Sequence, residues 1–298
     1  MTAPSLTADW VATMRDHNYH RTRARRVQTR DAAVAFVNKL GFVFFWPIKG
    51  IEYASLLHAI AGRVRDVPDA HDDPDGSRCW GWKDELLGAR AWYYAKLLRR
   101  RATLVALDVL PYFYALSPNF GDYETDYLQE YEDGELTAEA KAIYEALLRE
   151  GPLGTVRLRR AAYLAAESAK SRFERALVEL QVGLKVLPVG VAEEGAWNYA
   201  FVYDIVARHF ANLPGQARAI TRHDARQTLI HRYVHNAVAV SRKQIAQMFH
   251  VLKWTPRELD GALAALQAAG AVREMAVAGM EGAQWVSVAA LEGGAAPG

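Results

Sequence analysis

Cysteine is almost absent from this chain of 298 residues, which contains Cys79 alone. A single thiol cannot form an intrachain disulfide, and it cannot supply a zinc or iron–sulfur site built from several cysteines. Chains of this kind are typical of a reducing environment, because disulfides persist in oxidising compartments. We therefore expect a cytoplasmic protein.

Long hydrophobic runs and known catalytic motifs are also missing. The longest apolar run, residues 40–48, is too short to span a bilayer, and the polar N-terminus lacks the apolar core of a signal peptide. There is no phosphate-binding loop, dinucleotide fingerprint, nucleophile elbow or His-Glu-x-x-His motif. His231 and His235 lie one helical turn apart but have no third ligand nearby in the sequence. No membrane, cofactor or metal partner is predicted.

An excess of charge of one sign is absent as well. The formal net charge is only +2, so any electrostatic argument must rest on local clusters. Apolar residues make up 51% of the chain, which is ample for packed domains and argues against disorder. The length suits two or three modest domains.

The chain contains one arrangement of elements twice. Two amphipathic helices with leucines three apart, Leu177 and Leu180 in one and Leu263 and Leu266 in the other, are each followed by two β-rich stretches. Three helices and a two-stranded wing make a winged helix, a variant of the helix-turn-helix. The predicted fold is mainly α with small β-wings. Its segments are an N-terminal helical domain with a winged-helix-like unit at 1–135, a middle winged helix at 136–212 and a C-terminal winged helix at 213–298.

Periodicity and turn residues also predict individual elements. Ser241 with Gln244, and Thr255 with Glu258, form capping-box patterns at helix starts. Helices are predicted at residues 29–40, 53–61, 84–101, 137–149, 156–164 and 167–181, and a loop at 66–76. Strands are predicted at residues 184–189, 197–202, 272–277 and 284–288.

The helix at 167–181 is the best candidate for contact with nucleic acid. Phe173, Ala176, Leu177 and Leu180 form its buried stripe, so the polar side chains near its start face outward. In helix-turn-helix modules this part of the third helix enters the major groove, where cations neutralise phosphates. The candidate DNA contacts are Lys170, Ser171, Arg172 and Arg175. The alternative is an ordinary solvated helix face.

A second cluster of cations lies near the N-terminus. An arginine-rich arm beside a helical domain can follow phosphates or enter a minor groove. The arginines could instead pair with the acidic span at 122–135. The candidate contacts here are Arg21, Arg23, Arg25 and Arg26.

Aromatic residues are unusually dense at residues 42–46. Such residues are most often core, but Phe44 and Trp46 are also candidates for stacking on an unpaired base at a lesion.

The order of several short segments resembles the YcaQ/AlkZ-like family, whose members include DNA glycosylases that act on alkylated bases and crosslinks. The likeness runs from about residue 29 to residue 288. Its segments are Leu40-Gly41-Phe42-Val43, Asp84-Glu85-Leu86-Leu87, Trp92-Tyr93-Tyr94, Leu110-Pro111-Tyr112-Phe113, Lys170-Ser171-Arg172, and Asn198-Tyr199 to Tyr203-Asp204. The resemblance implies winged-helix units around a concave groove of DNA size.

The chain departs from that family at its catalytic motif. The glycosylases carry glutamine, an apolar residue, then glutamine or aspartate, where this chain has Phe44-Phe45-Trp46. Phe44 and Trp46 stand at the two polar positions, and neither side chain can take a proton from water or orient it through a carbonyl or carboxylate oxygen. No Gln, Asp or Glu occurs from residue 40 to 51, and Glu52 is the nearest carboxylate.

The leading hypothesis is therefore a DNA-binding member of this family that engages damaged or duplex DNA. One alternative is an active glycosylase that uses a residue outside the family motif, with Glu52 as the catalytic candidate. Another is a regulatory or scaffold module whose winged helices bind protein.

Overall fold

A computed structural model describes residues 6–69, 72–119, 121–195 and 198–292. The chain forms two compact units, of which the first combines Met1–Trp80 with Arg222–Gly298 and the second is Gly81–Thr221. The domain boundaries predicted from the sequence, near residues 135 and 212, do not coincide with this division. Local composition cannot show that residues 222–298 pack with residues 1–80. The predicted segments 1–135, 136–212 and 213–298 therefore remain a prediction of how the elements follow one another along the chain.

Helices dominate the described residues, and short strands accompany them, as predicted. The helices are α1 (Ala8–Asn18), α2 (Arg30–Leu40), α3 (Leu56–Ala61), α4 (Pro74–Gly88), α5 (Leu110–Tyr114), α6 (Asp126–Glu132), α7 (Ala138–Glu150), α8 (Thr155–Ala161), α9 (Lys170–Val182), α10 (Val206–His209), α11 (Leu213–Arg218), α12 (Arg222–Ala237), α13 (Arg242–Met248), α14 (Pro256–Ala268) and α15 (Val288–Glu292). The strands are β1 (Phe42–Phe44), β2 (Tyr93–Lys96), β3 (Ala102–Val105), β4 (Leu153–Gly154), β5 (Val186–Ala192), β6 (Ala200–Ile205), β7 (Ala239–Val240), β8 (Val272–Ala276) and β9 (Ala283–Ser287).

In the first unit, α12 connects the two chain segments. The Arg15 guanidinium donates to the carbonyl oxygens of Ala237 at 2.9 Å and Ala239 at 2.6 Å. The Asn236 side chain donates to the Leu40 carbonyl at 2.7 Å. A three-stranded antiparallel sheet in the order β7-β9-β8 lies in the same unit. Buried polar groups are thus satisfied by partners about 200 residues away in sequence.

In the second unit, α7, α8 and α9 share a core with the antiparallel sheet β4-β6-β5. The Thr137 hydroxyl accepts from the Ala140 amide at 3.3 Å and so caps α7 as predicted. Gly151, in the left-handed region at φ +83°, follows its end. The predicted strand at 184–189 begins two residues later, at Val186, and Trp197, the predicted start of the next strand, lies outside the described residues.

The predicted helix at 84–101 is wrong over most of its length. Helix α4 ends at Gly88, and β2 then pairs antiparallel with β3. Bulky aromatic residues such as Tyr93 and Tyr94 favour strands, and here they are buried in one. Arg99 and Arg100 instead belong to a short 3-10 helix between the strands, Leu98–Arg100, and both adopt positive φ.

Two other helices begin at residues that differ from the predicted ones. Helix α3 begins at Leu56, because Ser55 caps it, and α4 already begins at Pro74, within the predicted loop. No helix among the described residues is long and apolar enough to cross a membrane.

Candidate nucleic-acid interface

The first half of α9 presents a polar, mostly basic face. Lys170, Ser171, Arg172 and Arg175 are exposed, whereas Phe173 is buried in the core of the second unit. This division follows from helical geometry, since residues three and four apart share a face. The structure therefore exposes these four sequence-predicted side chains to solvent, together with the side chain of Glu174.

The cations of this face have only weak partners. Arg172 Nη1 lies 3.1 Å from Glu139 Oε1, and Lys170 Nζ lies 3.6 Å from a carboxylate oxygen of Glu167. Arg175 donates to the Ser171 hydroxyl at 2.7 Å. More than half of the Lys170 and Arg172 side chains is exposed. Exposed ion pairs stabilise a protein by about 1 kcal/mol or less, so a phosphate can replace these carboxylates.

Helix α8 brings further arginines to the same part of the fold. Arg157 and Arg160 are exposed. The half-buried Arg159 donates to the carbonyl oxygens of Leu164 at 3.2 Å and Ala166 at 3.0 Å, and its guanidinium lies 5.9 Å from the centre of the Phe173 ring. Arg159 therefore fixes the loop between α8 and α9, and its role is positioning.

Sequence reasoning missed one residue of that loop, Tyr163. This residue is 90% exposed and its φ is +58°. An aromatic residue flanked by Ala162 and Leu164 resembles core in a hydropathy pattern. The only sequence signal was its position between two basic helices.

The structure places the predicted N-terminal arginines differently from a free arm. Arg21 is buried, forms an ion pair with Glu52, and donates to the Tyr53 carbonyl at 2.9 Å. It also lies 4.7 Å from the centre of the Tyr19 ring. A guanidinium held this way is a structural group of the first unit and cannot also reach a phosphate in this conformation.

The other arginines of that cluster belong to folded backbone. Arg23 and Arg25 bound a short 3-10 helix, and Arg26 follows it. Arg23 and Arg26 are exposed, whereas Arg25 is half-buried. Arg23 and Arg26 therefore offer exposed side chains to a ligand.

The two aromatic candidates occupy different environments. Phe44 is 1% exposed in β1, with its ring centre 6.3 Å from that of Tyr53, so it is core and presents no face to a base. Trp46 is half-buried, 4.5 Å from Phe45 and 6.1 Å from the partly exposed Trp80 between ring centres. Phe44 is therefore a core residue, whereas Trp46 lies at the edge of the cluster that it forms with Phe45 and Trp80.

Glu52 lines a cleft of about 10 Å³ together with Gln244 and Gln247, which is room for about one water. Its side chain is 48% exposed, and the buried Arg21 anchors it. The Gln244 side chain already accepts from the Ser241 amide at 2.8 Å within the capping box. A carboxylate held at a cleft can orient water, so its geometry is compatible with acid–base chemistry.

The histidine pair has no metal-binding set around it. Ring centres of His231 and His235 are 6.1 Å apart, and burial lowers the pKa of both. Over the part of the chain that the structure describes, no group of three His, Cys, Asp or Glu residues could hold a metal ion.

A family model described as AlkZ related matches residues 27–250. The chain belongs to the AlkZ-related family. The resemblance predicted from the order of its segments is thereby confirmed. Among solved structures, this AlkZ-related chain is similar to Streptomyces sahachiroi DNA glycosylase AlkZ, with a TM-score of 0.60 and 14% identity over 97% of this chain and 72% of that one. No curated protein matches it. At that identity the likeness concerns the fold.

Proposed function

We propose that this AlkZ-related chain binds damaged or duplex DNA through α8 and α9. The observation that carries the proposal is the exposed basic face of α9 above a buried apolar stripe. The proposal assigns two winged helices to the chain. One consists of α7, α8 and α9 with the β5–β6 hairpin, and the other consists of α12 to α14 with the β8–β9 hairpin.

Charge supports assigning contact to the first of these modules. Residues 155–175 contain six basic and two acidic residues, although the formal net charge of the whole chain is only +2. The start of α9 adds the positive end of a helix dipole. In contrast, the first turns of α14 contain Arg257, Glu258 and Asp260, so the start of this helix is not basic. The second module therefore has a structural role in this proposal.

A salt titration of DNA affinity tests the proposal. Each phosphate contact contributes about −0.9 to the slope of log K against log salt. Arg172→Ala and Lys170→Ala should each weaken binding to a 20-base-pair duplex and make this slope shallower by about 1. Arg257→Ala, an exposed arginine at the corresponding end of α14, is the matched control and should change neither quantity.

Two results would overturn the proposal. One is absent or salt-insensitive binding by the wild-type chain. The other is an equal effect of Arg172→Ala and Arg257→Ala on the slope. Absent binding together with stable self-association would favour the protein-binding module.

A second candidate function, base excision, depends on Glu52. The anchored, half-exposed carboxylate at the cleft is the specific observation in its favour. Incubation with alkylated DNA followed by detection of abasic sites tests it. Abasic sites that disappear with Glu52→Gln, but persist with Glu274→Gln on the exposed face of β8, would establish excision. Their absence with the wild-type chain would leave DNA binding as the function.

A further inference from the structure

Tyr163 is an exposed aromatic side chain with no packing role. Among the exposed large apolar side chains of the described residues, its 90% exposure is the highest. Within the described ranges its hydroxyl makes no hydrogen bond and its ring no aromatic contact. An aromatic ring normally buries a large area in a core or an interface. This ring therefore contributes almost nothing to the packing of the second unit.

The backbone at Tyr163 also disfavours this residue type. Its φ is +58°, its amide donates to the Arg160 carbonyl at 3.1 Å, and the next amide donates to the Arg159 carbonyl at 2.8 Å. This is the left-handed position that ends a helix, where glycine or asparagine is preferred. Bulky residues are uncommon there, and such outliers gather at binding sites. Neither packing nor backbone conformation explains a tyrosine at this position.

The surroundings of Tyr163 are cationic and fixed in place. The exposed Arg160 lies one turn before it. Arg159 donates a hydrogen bond to the Ala166 carbonyl and so holds the rest of the loop. Its guanidinium also lies over the ring of Phe173, the residue that follows Arg172 in α9. The Tyr163 ring thus projects from the loop that connects two helices with exposed cations, a loop that the Arg159 hydrogen bonds hold in place. Cations attract a polyanion, and an aromatic face stacks on any base.

We infer that Tyr163 is a nucleobase-stacking residue. Its ring stacks on an unpaired base of DNA, while the cations of α8 and α9 hold the flanking phosphates. The inference rests on the proposed function and adds a preference for DNA that contains an unpaired base. A paired and stacked base offers no free face to the ring, so the contribution of Tyr163 is confined to interrupted duplexes.

The test compares a matched 20-base-pair duplex with the same duplex carrying one bulged 2-aminopurine. Tyr163→Ala should weaken binding to the bulged duplex about tenfold, within the range for one stacked base. Affinity for the matched duplex should change less than about twofold, and Tyr163→Phe should behave as wild type because the ring is retained. Wild type and Tyr163→Phe should quench 2-aminopurine fluorescence, whereas Tyr163→Ala should not.

The controls separate stacking from folding and from charge. Tyr131→Ala removes another exposed tyrosine of the second unit and should leave both affinities unchanged. Tyr163→Asn suits the left-handed backbone, so it should raise the thermal midpoint while weakening binding to the bulged duplex. Arg172→Ala should weaken binding to both duplexes.

Wild-type affinity of Tyr163→Ala for the bulged duplex, with salt-dependent binding intact, would overturn the stacking role and leave the proposed function standing. Absence of DNA binding by the wild-type chain would overturn both.

Discussion

At the scale of single residues, Lys83 is the most unusual charged group of the second unit. Its side chain is 0% exposed, and its ammonium lies 2.7 Å from Asp84 Oδ1 and 2.8 Å from the Tyr199 hydroxyl. The ammonium is also 4.3 Å from the centre of the Phe201 ring. Burial lowers the pKa of Lys83 to about 8, although Asp84 opposes the shift. Removal from water therefore outweighs the nearby carboxylate.

This depressed pKa predicts how stability depends on pH. Below pH 8 both folded and unfolded chains carry a charged Lys83, and burying that charge costs free energy. Between about pH 8 and the ordinary value of 10.5, the unfolded chain binds more protons, so this group stabilises the fold as pH rises. From pH 8 to 9.5 the free energy of unfolding should rise by about 1.5 kcal/mol relative to Lys83→Met.

Urea unfolding of both proteins at half-unit pH steps measures that difference. Groups other than Lys83 titrate in both proteins and cancel in the comparison. Parallel pH profiles for the two proteins would contradict the prediction.

The sequence could not reveal the environments of Lys83 and Arg21. Lys83 is one lysine in an amphipathic helix, and two of its aromatic neighbours, Tyr199 and Phe201, follow more than 110 residues later. Arg21 belongs to a run of arginines that resembles a free arm, yet its partner is Glu52. Charge clusters predict where cations occur along a chain. Burial of one member is decided by tertiary contacts.

At the scale of elements, helix caps were the most predictable features. Both capping boxes predicted from the sequence are confirmed at the starts of α13 and α14. The hydrogen bonds of a cap join residues three apart, so the sequence contains all their partners. Strand β2 is the opposite case, because the Lys96 amide in β2 donates to the Gln181 side chain of α9 at 2.9 Å. Such a long-range partner cannot be inferred from local periodicity.

Thr255→Ala should therefore lower stability by about 1 kcal/mol. The Thr255 hydroxyl accepts from the Glu258 amide at 3.2 Å, and the Glu258 carboxylate accepts from the Thr255 amide at 2.9 Å. Alanine removes the hydroxyl acceptor and exposes one amide of the first turn. Guanidinium denaturation measures the loss.

The control for this cap is Thr22→Ala, because Thr22 precedes a 3-10 helix without a side-chain capping bond. It should change stability by less than about 0.5 kcal/mol. Equal losses for the two substitutions would contradict the capping explanation.

At the scale of the whole molecule, the family and the mainly helical fold were predictable, but the division into units was not. The order of segments places the chain in the AlkZ-related family, which a model over residues 27–250 confirms. The repeated helix-and-strand order predicts the small sheets of both units. The sequence does not indicate that residues 222–298 complete a unit begun by residues 1–80.

Because the first unit is discontinuous in sequence, we expect a chain that ends at residue 221 to lose the folded structure of the first unit and to keep that of the second. The first unit would lose the Asn236 side chain, which donates to the Tyr53 hydroxyl at 3.1 Å, and the Phe249 ring, which lies 6.0 Å from Phe42 between centres. The second unit would keep its core intact, because the cluster that includes Leu147, Leu180 and Ile205 lies wholly within Gly81–Thr221.

Amide hydrogen exchange measures which of the two units remains folded in the shortened chain. Slow exchange requires a cooperatively folded unit, because amides exchange when their local structure opens. In the shortened chain, amides of α7, α9 and β6 should retain slow exchange, while those of α2 and β1 should exchange at rates typical of unfolded chain. The full-length chain should protect both sets. Continued protection of α2 without α12 and Phe249 would mean that residues 6–80 form a stable core by themselves, contrary to the contacts that the two segments share.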